Sequence, residues 1–153
     1  MYANELVCNI LNYLEKNMCS EITIDLVSSI FCFDKFYIMK KFKKEIGISI
    51  INYLNYFKIY NSLKYYKYDD SITKIALNSG FNSLEYYSEI FKKVIGVSPI
   101  AYKKFVNYDR GLKDEEANII IDSIIKLNSL KKDIDEYKKH IKPRDVMVKK
   151  LSI

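Results

Sequence analysis

The stretch SITKIALNSGFNSLEYYSEIFKKVIGVSP, residues 71–99, reads as two helices joined by a tight turn. Ser71 suits a helix cap, because its hydroxyl can accept from a first-turn N–H that has no partner within the helix. Ile75 follows at helical spacing, and Ala76 is small enough for the next helix to cross closely. Gly80 stands four residues on, where a left-handed turn residue fits. Asn82 is then the expected cap of a second helix that turns Phe91 inward and Lys92 and Lys93 outward. Gly96 stops that helix.

The same order of residues occurs earlier in the chain. Thr23-Ile24, Val27-Ser28, Cys32-Phe33-Asp34, Phe42-Lys43-Lys44, Gly47, Ser49 and Tyr53 match Ser71-Ile72, Ile75-Ala76, Gly80-Phe81-Asn82, Phe91-Lys92-Lys93, Gly96, Ser98 and Tyr102. The offset is 48 as far as Asp34/Asn82 and 49 from Phe42/Phe91 onward, which predicts one extra residue within the later helix of the second unit. A repeat of this length fixes the architecture before any finer reading. Each copy is a helix-turn-helix, and Cys32 stands where the second copy has its glycine.

Working outward, Leu6, Val7, Ile10, Leu11 and Leu14 form an apolar stripe on a first helix. Ser49 is positioned to cap a longer helix through about Tyr66, with Ile50, Tyr53, Leu54, Phe57 and Ile59 as its buried positions and a rigid bridge as its expected role. Ser98-Pro99 opens a last short helix carrying Tyr102 and Phe105, since proline fits a first helical turn. Phe42, Phe91, Phe57, Phe81 and Tyr53 belong to the core. The fold class is all-α, two helix-turn-helix units joined by a linker helix.

Composition agrees with that class. The 153 residues hold 49% hydrophobic and 29% charged residues, ordinary values for a folded domain, and only four Gly and two Pro interrupt the helical spacing. The net charge of +6 favours a polyanionic partner without proving one. Its basic residues are nearly all Lys, and together with Ile, Asn and Tyr they point to an AT-rich bacterial genome. Cys8, Cys19 and Cys32 make neither a C-x-x-C pair nor an even set for disulfides, which predicts a cytoplasmic protein. No apolar run approaches the roughly 18 residues a membrane span needs. His140 is the only histidine and lacks ligand-spaced partners, so no metal or other cofactor is expected. Phosphate loops, nucleophile elbows and Cys-His arrangements are missing from the sequence, and an enzyme is not expected.

Ile75-Ala76-x-x-x-Gly80-Phe81, Tyr86-Tyr87, Phe91-Lys92-Lys93 and Gly96-Val97-Ser98-Pro99 with Tyr102-Lys103 resemble the signature of the AraC/XylS family DNA-binding domain. The resemblance extends from about Glu5 to Phe105, and a domain over residues 1–106 is assigned on it. It implies seven helices, two recognition helices, and binding to double-stranded promoter DNA, with RNA polymerase as a further partner. Carried over, it places Phe36, Met39 and Lys40 of a first recognition helix, about Asp34 to Glu45, against base edges. In the second, about Ser83 to Lys93, it places Leu84, Glu85, Tyr86 and Glu89 there. Phosphate contacts fall to Lys43, Lys44, Asn82, Ser83, Lys92, Lys93 and Lys103. Glu85 and Glu89 depart from the polar or basic residues usual at such positions, although a carboxylate can accept from cytosine N4.

Lys40, Lys41, Lys43 and Lys44 are either phosphate contacts or a solvated face, and their place in a helix-turn-helix favours the former. Lys92, Lys93, Lys103 and Lys104 divide evenly. A module of the same fold that binds a protein through its acidic second surface is the alternative function.

Residues 107–153 lie past the resemblance and form an extension. Asp114, Glu115 and Glu116 favour a helix start. Ile120, Leu127, Leu130, Ile134, Tyr137 and Ile141 are spaced as a coiled-coil seam in which Ser123 is the one weak place. Pairing of two chains through residues 113–142 and docking on the chain's own domain both fit, pairing slightly better. Pro143 is expected to end the helix, and Asp145 to Ile153 to form a short strand opening a further domain.

Overall fold

The computed structural model describes residues 3–108 and 111–151, and the side chains of residues 4–108 and 111–140. In order the helices are α1 (Ala3–Lys16), α2 (Ile24–Phe31), α3 (Lys35–Ile46), α4 (Ile50–Ser62), α5 (Ile72–Asn78), α6 (Leu84–Ile95), α7 (Pro99–Val106) and α8 (Asp114–Leu151). A 3-10 segment, Leu63–Lys67, extends α4. The all-α expectation holds, with no strand among the described residues. The chain divides into two compact units.

The first unit takes residues up to Asn17, Ile22–Tyr53 and the part of α8 from Ser129. The apolar stripe of α1 is buried at all five expected positions, and α1 packs on α2 and α3, where Val27, Ile38 and Phe42 are buried too. Phe42 meets Tyr53 edge to face, ring centres 5.7 Å apart, a geometry that adds to the value of the buried area itself. Ile134 of α8 is buried, the Tyr137 hydroxyl donates to Glu45 at 3.4 Å, and Lys138 pairs with Glu15 at 2.7 Å.

The second unit holds Met18–Glu21 and Leu54–Asn128. Its core gathers Tyr66, Phe81, Tyr87, Phe91 and Tyr102 around Ile59, Ile75, Ala76 and Ile95. Ring centres of Tyr66 and Tyr102 lie 4.9 Å apart at 88°, and those of Phe81 and Tyr87 5.0 Å apart at 70°. The hydroxyls of Ser62, Tyr66 and Tyr87 form a buried relay. Ser62 Oγ spends its one proton on the Ile59 carbonyl, so the Tyr87 hydroxyl donates to Ser62 at 2.9 Å and accepts from Tyr66 at 2.8 Å. Burial keeps these phenols neutral, pushing Tyr87 up to about 12 against the two hydroxyl bonds that pull it down.

The extension forms the expected helix from Asp114 but runs past its expected end. Helix α8 continues through Pro143 to Leu151, where a helix end and then a strand were expected; a proline removes one backbone bond without of itself ending a helix. Residues 152 and 153 lie outside the described residues. Ile120 and Leu127 are buried in the second unit's core and Ile134 in the first's, so docking on the chain's own units occupies these seam positions. Ser123 has a use that seam spacing concealed. Its hydroxyl donates at 2.7 Å to the carbonyl of Ile95, one of the last acceptors of α6 that no N–H of that helix can reach. Ile119 also comes close to Gly96, where an added Cβ would collide with it.

Candidate nucleic-acid interface

Two helix-turn-helix units are built from local signals at the expected places. Thr23, Ser71 and Ser98 accept from Leu26, Lys74 and Ala101 N–H as caps of α2, α5 and α7. Asp34 caps α3, its carboxylate accepting from Phe36 and Tyr37. The sequence reading of the second turn needs correction. Ser83, not Asn82, caps α6, accepting from the Tyr86 N–H at 3.1 Å. Because Ser83 is the true counterpart of Asp34 at offset 49, the extra residue lies in the turn and the later helices match without interruption.

The two turns solve one backbone problem with different residues. Gly80 has φ +89 and its counterpart Cys32 φ +59, both left-handed. Only glycine fits the second turn. A Cβ on Gly80 would lie 2.9 Å from the Cys19 carbonyl carbon. Lys58 of α4 secures the same place. It is only 8% exposed, and its ammonium donates at 3.0 Å both to Ser20 O and to Gly80 O. Burial lowers its pKa from the usual lysine range, with Cys19 and Glu21 pulling the other way. Sequence reasoning missed Lys58; its signal was a lysine between two buried positions, Phe57 and Ile59.

On α3, Ile38 and Phe42 are fully buried while the opposite face is open. Phe36 is 67% exposed and Met39 39%, and Lys40, Lys43 and Lys44 are exposed as well. No ion pair engages these three lysines among the described residues. Lys35 pairs with Asp25 at 3.5 Å. Tyr37 stacks on Phe33.

The outward face of α6 is different in charge. Glu85, Tyr86, Glu89, Lys92 and Lys93 are exposed, and Glu89 pairs with Lys93 at 3.2 Å. Tyr86 is 45% exposed, its ring packed against Phe81 with centres 5.8 Å apart. Leu84 faces another way: it is half-buried against the core of its unit. Asn82 is exposed, Ser83 is half-buried, and Lys103 is half-buried with its ammonium 3.5 Å from the Asp70 carbonyl. At offset 49, Phe36 corresponds to Glu85, Tyr37 to Tyr86, Lys40 to Glu89, Lys43 to Lys92 and Lys44 to Lys93.

Among the described residues no group of three or more His, Cys, Asp or Glu could hold a metal ion, and no helix is long and apolar enough to cross a membrane.

Paired helix-turn-helix units, each with an open outward face on its second helix, define a double helix-turn-helix protein. A family model described as a helix-turn-helix domain matches residues 27–104, and the chain belongs to this AraC-type family of DNA-binding regulators. The HTH-type transcriptional regulator YbfP of Bacillus subtilis is 29% identical over 116 residues, which cover 75% of this chain and 39% of that protein. Among solved structures, the C-terminal domain of the response regulator AraT from Geobacillus stearothermophilus has 26% identity and a TM-score of 0.63, covering 65% of this chain and 84% of its own. The DNA-binding domain of AdpA, solved with a target DNA, shares the fold alone, with 15% identity, a TM-score of 0.63, and coverage of 70% and 97%. The chain spans about two fifths of the length of such relatives, 39% for YbfP and 41% for a response regulatory protein of Staphylococcus epidermidis.

Proposed function

We propose that this chain binds double-stranded promoter DNA in a sequence-specific manner and regulates transcription there. The open face of α3 is the observation that carries this reading. Three lysines that no ion pair engages among the described residues sit beside Phe36 and Met39 on the second helix of a helix-turn-helix, the helix such motifs lay in the major groove. Lys43 and Lys44 contact phosphates, while Phe36, Met39 and Lys40 face base edges. On α6, Glu85, Tyr86 and Glu89 face bases, and Lys92 and Lys93 lie toward phosphates, with Asn82 and Ser83 contributing at the turn. Leu84 and Lys103 are supporting residues, because each is already engaged within its own unit. The buried seam positions support a docked α8 and a DNA-binding unit that is complete in one chain. RNA polymerase is the partner through which such a protein would act at a promoter.

Selection from a random duplex library tests this. The expected result is one enriched motif whose binding weakens steeply with salt. Recovery of no motif, with retained DNA insensitive to salt, would overturn the proposal.

A further inference from the structure

The face of α3 carries apolar side chains where α6 carries carboxylates. Phe36 is 67% exposed, with Met39 and Tyr37 also open, and they occupy the first turns of the helix. The core does not need them: Ile38 and Phe42 already fill the inward side with no exposure. Lys35 opens the helix, but its ammonium is engaged by Asp25 at 3.5 Å and lies over the Phe36 ring at 5.4 Å. Lys40, Lys43 and Lys44 lie further along, so the open face presents Phe36 and Met39 over its first turns and positive charge towards its end.

Residues at the start of a recognition helix are those that reach base edges, and the later ones meet the backbone. A phenyl ring has no donor or acceptor with which to read a hydrogen-bonding edge. Only thymine presents an apolar group in the major groove, its C5 methyl, and apolar side chains are its ordinary partners. Lys40, Lys43 and Lys44, in no ion pair among the described residues, supply the charge complementarity that identifies a nucleic acid, rather than an apolar protein surface, as the occupant. We infer that α3 reads thymine through its methyl group, with Phe36 and Met39 as the specificity-determining residues. The inference rests on the DNA-binding function proposed above. It also divides base chemistry between the units, since Glu85 stands in the second where Phe36 stands in the first, and a carboxylate accepts from cytosine N4.

The test uses the full chain and its selected duplex, with each thymine replaced in turn by deoxyuridine, which lacks only the methyl. At one or two thymines the intact protein should bind about fourfold more weakly, the value of one buried methyl group. The same replacements should leave Phe36→Ala or Met39→Ala unaffected, because the partner side chain has gone. Both substitutions are at exposed positions outside the core, and Phe36 gives up only its contact with the Lys35 ammonium, 5.4 Å from the ring centre. If the intact protein binds every deoxyuridine duplex as tightly as its thymine parent, or if the motif lacks thymine, the methyl reading is overturned while DNA binding stands. If no duplex is selected, the DNA-binding reading falls and takes this one with it.

Discussion

Exchanging the turn residues separates backbone strain from crowding in the two units. Gly47 and Gly80 have nearly the same left-handed geometry, φ +92 and +89, but a Cβ on Gly47 meets nothing within 4 Å. One on Gly80 meets Cys19 C at 2.9 Å and Cys19 O and Met18 O at 3.0 Å. A non-glycine residue in this region costs about 1–2 kcal/mol, of which a stiffer unfolded chain offsets roughly 0.4–1. Gly47→Ala should therefore destabilise by about 1 kcal/mol. Gly80→Ala carries that cost and must also displace backbone, adding about 1–3 kcal/mol as overpacking does. Its expected total is about 2–4 kcal/mol, because the carbonyl that Lys58 holds shifts with it. Cys32→Gly should go the other way, relieving strain for a net gain of about 0.5 kcal/mol, since its thiol has only a weak 3.7 Å contact with Ser29 O. Urea unfolding of the three full-length variants, followed by helical circular dichroism, measures all of this. Equal losses for Gly80→Ala and Gly47→Ala would refute the close approach of the turn to residues 18 and 19.

Replacing Lys43 and Lys44 together by Ala should weaken binding to all duplexes alike and reduce the log–log salt slope by about 2, measured by fluorescence anisotropy; an unchanged slope places both off the phosphates. Glu89→Ala should relax preference at one base pair and leave nonspecific affinity level or higher, because Lys93 loses its 3.2 Å partner; a motif reselected unchanged would show that Glu89 reads nothing. Tyr87→Phe should cost about 1–3 kcal/mol and Tyr66→Phe less, because only the former strands a buried donor, the Tyr66 hydroxyl; reversed order in urea titrations would contradict the relay. A phenol whose folded pKa is raised contributes stability that is whole below the unfolded value of about 10 and lost as pH climbs through the folded one. Alkaline unfolding should thus begin near pH 10 and be well advanced at about 12, the Tyr87 value, and unfolding already complete below pH 10 would exclude these phenols as its cause. The intact chain should sediment as a monomer, and removal of residues 113–153 should destabilise the second unit by about 3–6 kcal/mol through the lost burial of Ile120 and Leu127; a dimeric intact chain would restore the pairing reading.

What was legible in the sequence was what local chemistry determines. Thr23, Asp34 and Ser71 are caps because their side chains accept, and Gly47 and Gly96 end helices because the left-handed stop suits them. The repeat placed Phe42 and Phe91 in equivalent buried positions. The choice between Asn82 and Ser83 was not legible, since both side chains accept equally well and burial of Phe81 after Gly80 decides where the next helix can begin. The family resemblance places Leu84 outward, whereas its packing against the second unit's core depends on contacts that a motif does not record. The seam of α8 has the same spacing whether a second chain or the chain's own core covers it, and the bond from Ser123 to Ile95 depends on contacts distant in sequence. For Lys58 the sequence showed a charge among apolar neighbours, but its acceptors are backbone carbonyls, which leave no mark on residue identity.

The division between inward and outward positions explains how one repeated scaffold can carry two different surfaces. Inward pairs at offset 49 stay buried, as with Ile38 and Tyr87 or Phe42 and Phe91, and a polar group there needs a buried partner, which the Tyr87 hydroxyl finds in Ser62 and Tyr66. Outward positions bear no such cost, and there Phe36 is matched by Glu85 and Lys40 by Glu89. Both glutamates also have local partners: Glu85 lies in the first turn, where the helix's positive end favours an anion, and Glu89 pairs with Lys93. Those interactions are exposed and worth little, roughly 0–1 kcal/mol, so they permit the carboxylates without requiring them. Their larger effect is on the field. Glu85 and Glu89 oppose Lys92 and Lys93 across the face of α6, whereas among the described residues no ion pair engages Lys40, Lys43 or Lys44 on the outward face of α3. On the proposed function, nonspecific attraction therefore belongs mainly to the first unit, and the second, drawing little from phosphates, contributes chiefly through the bases it can match.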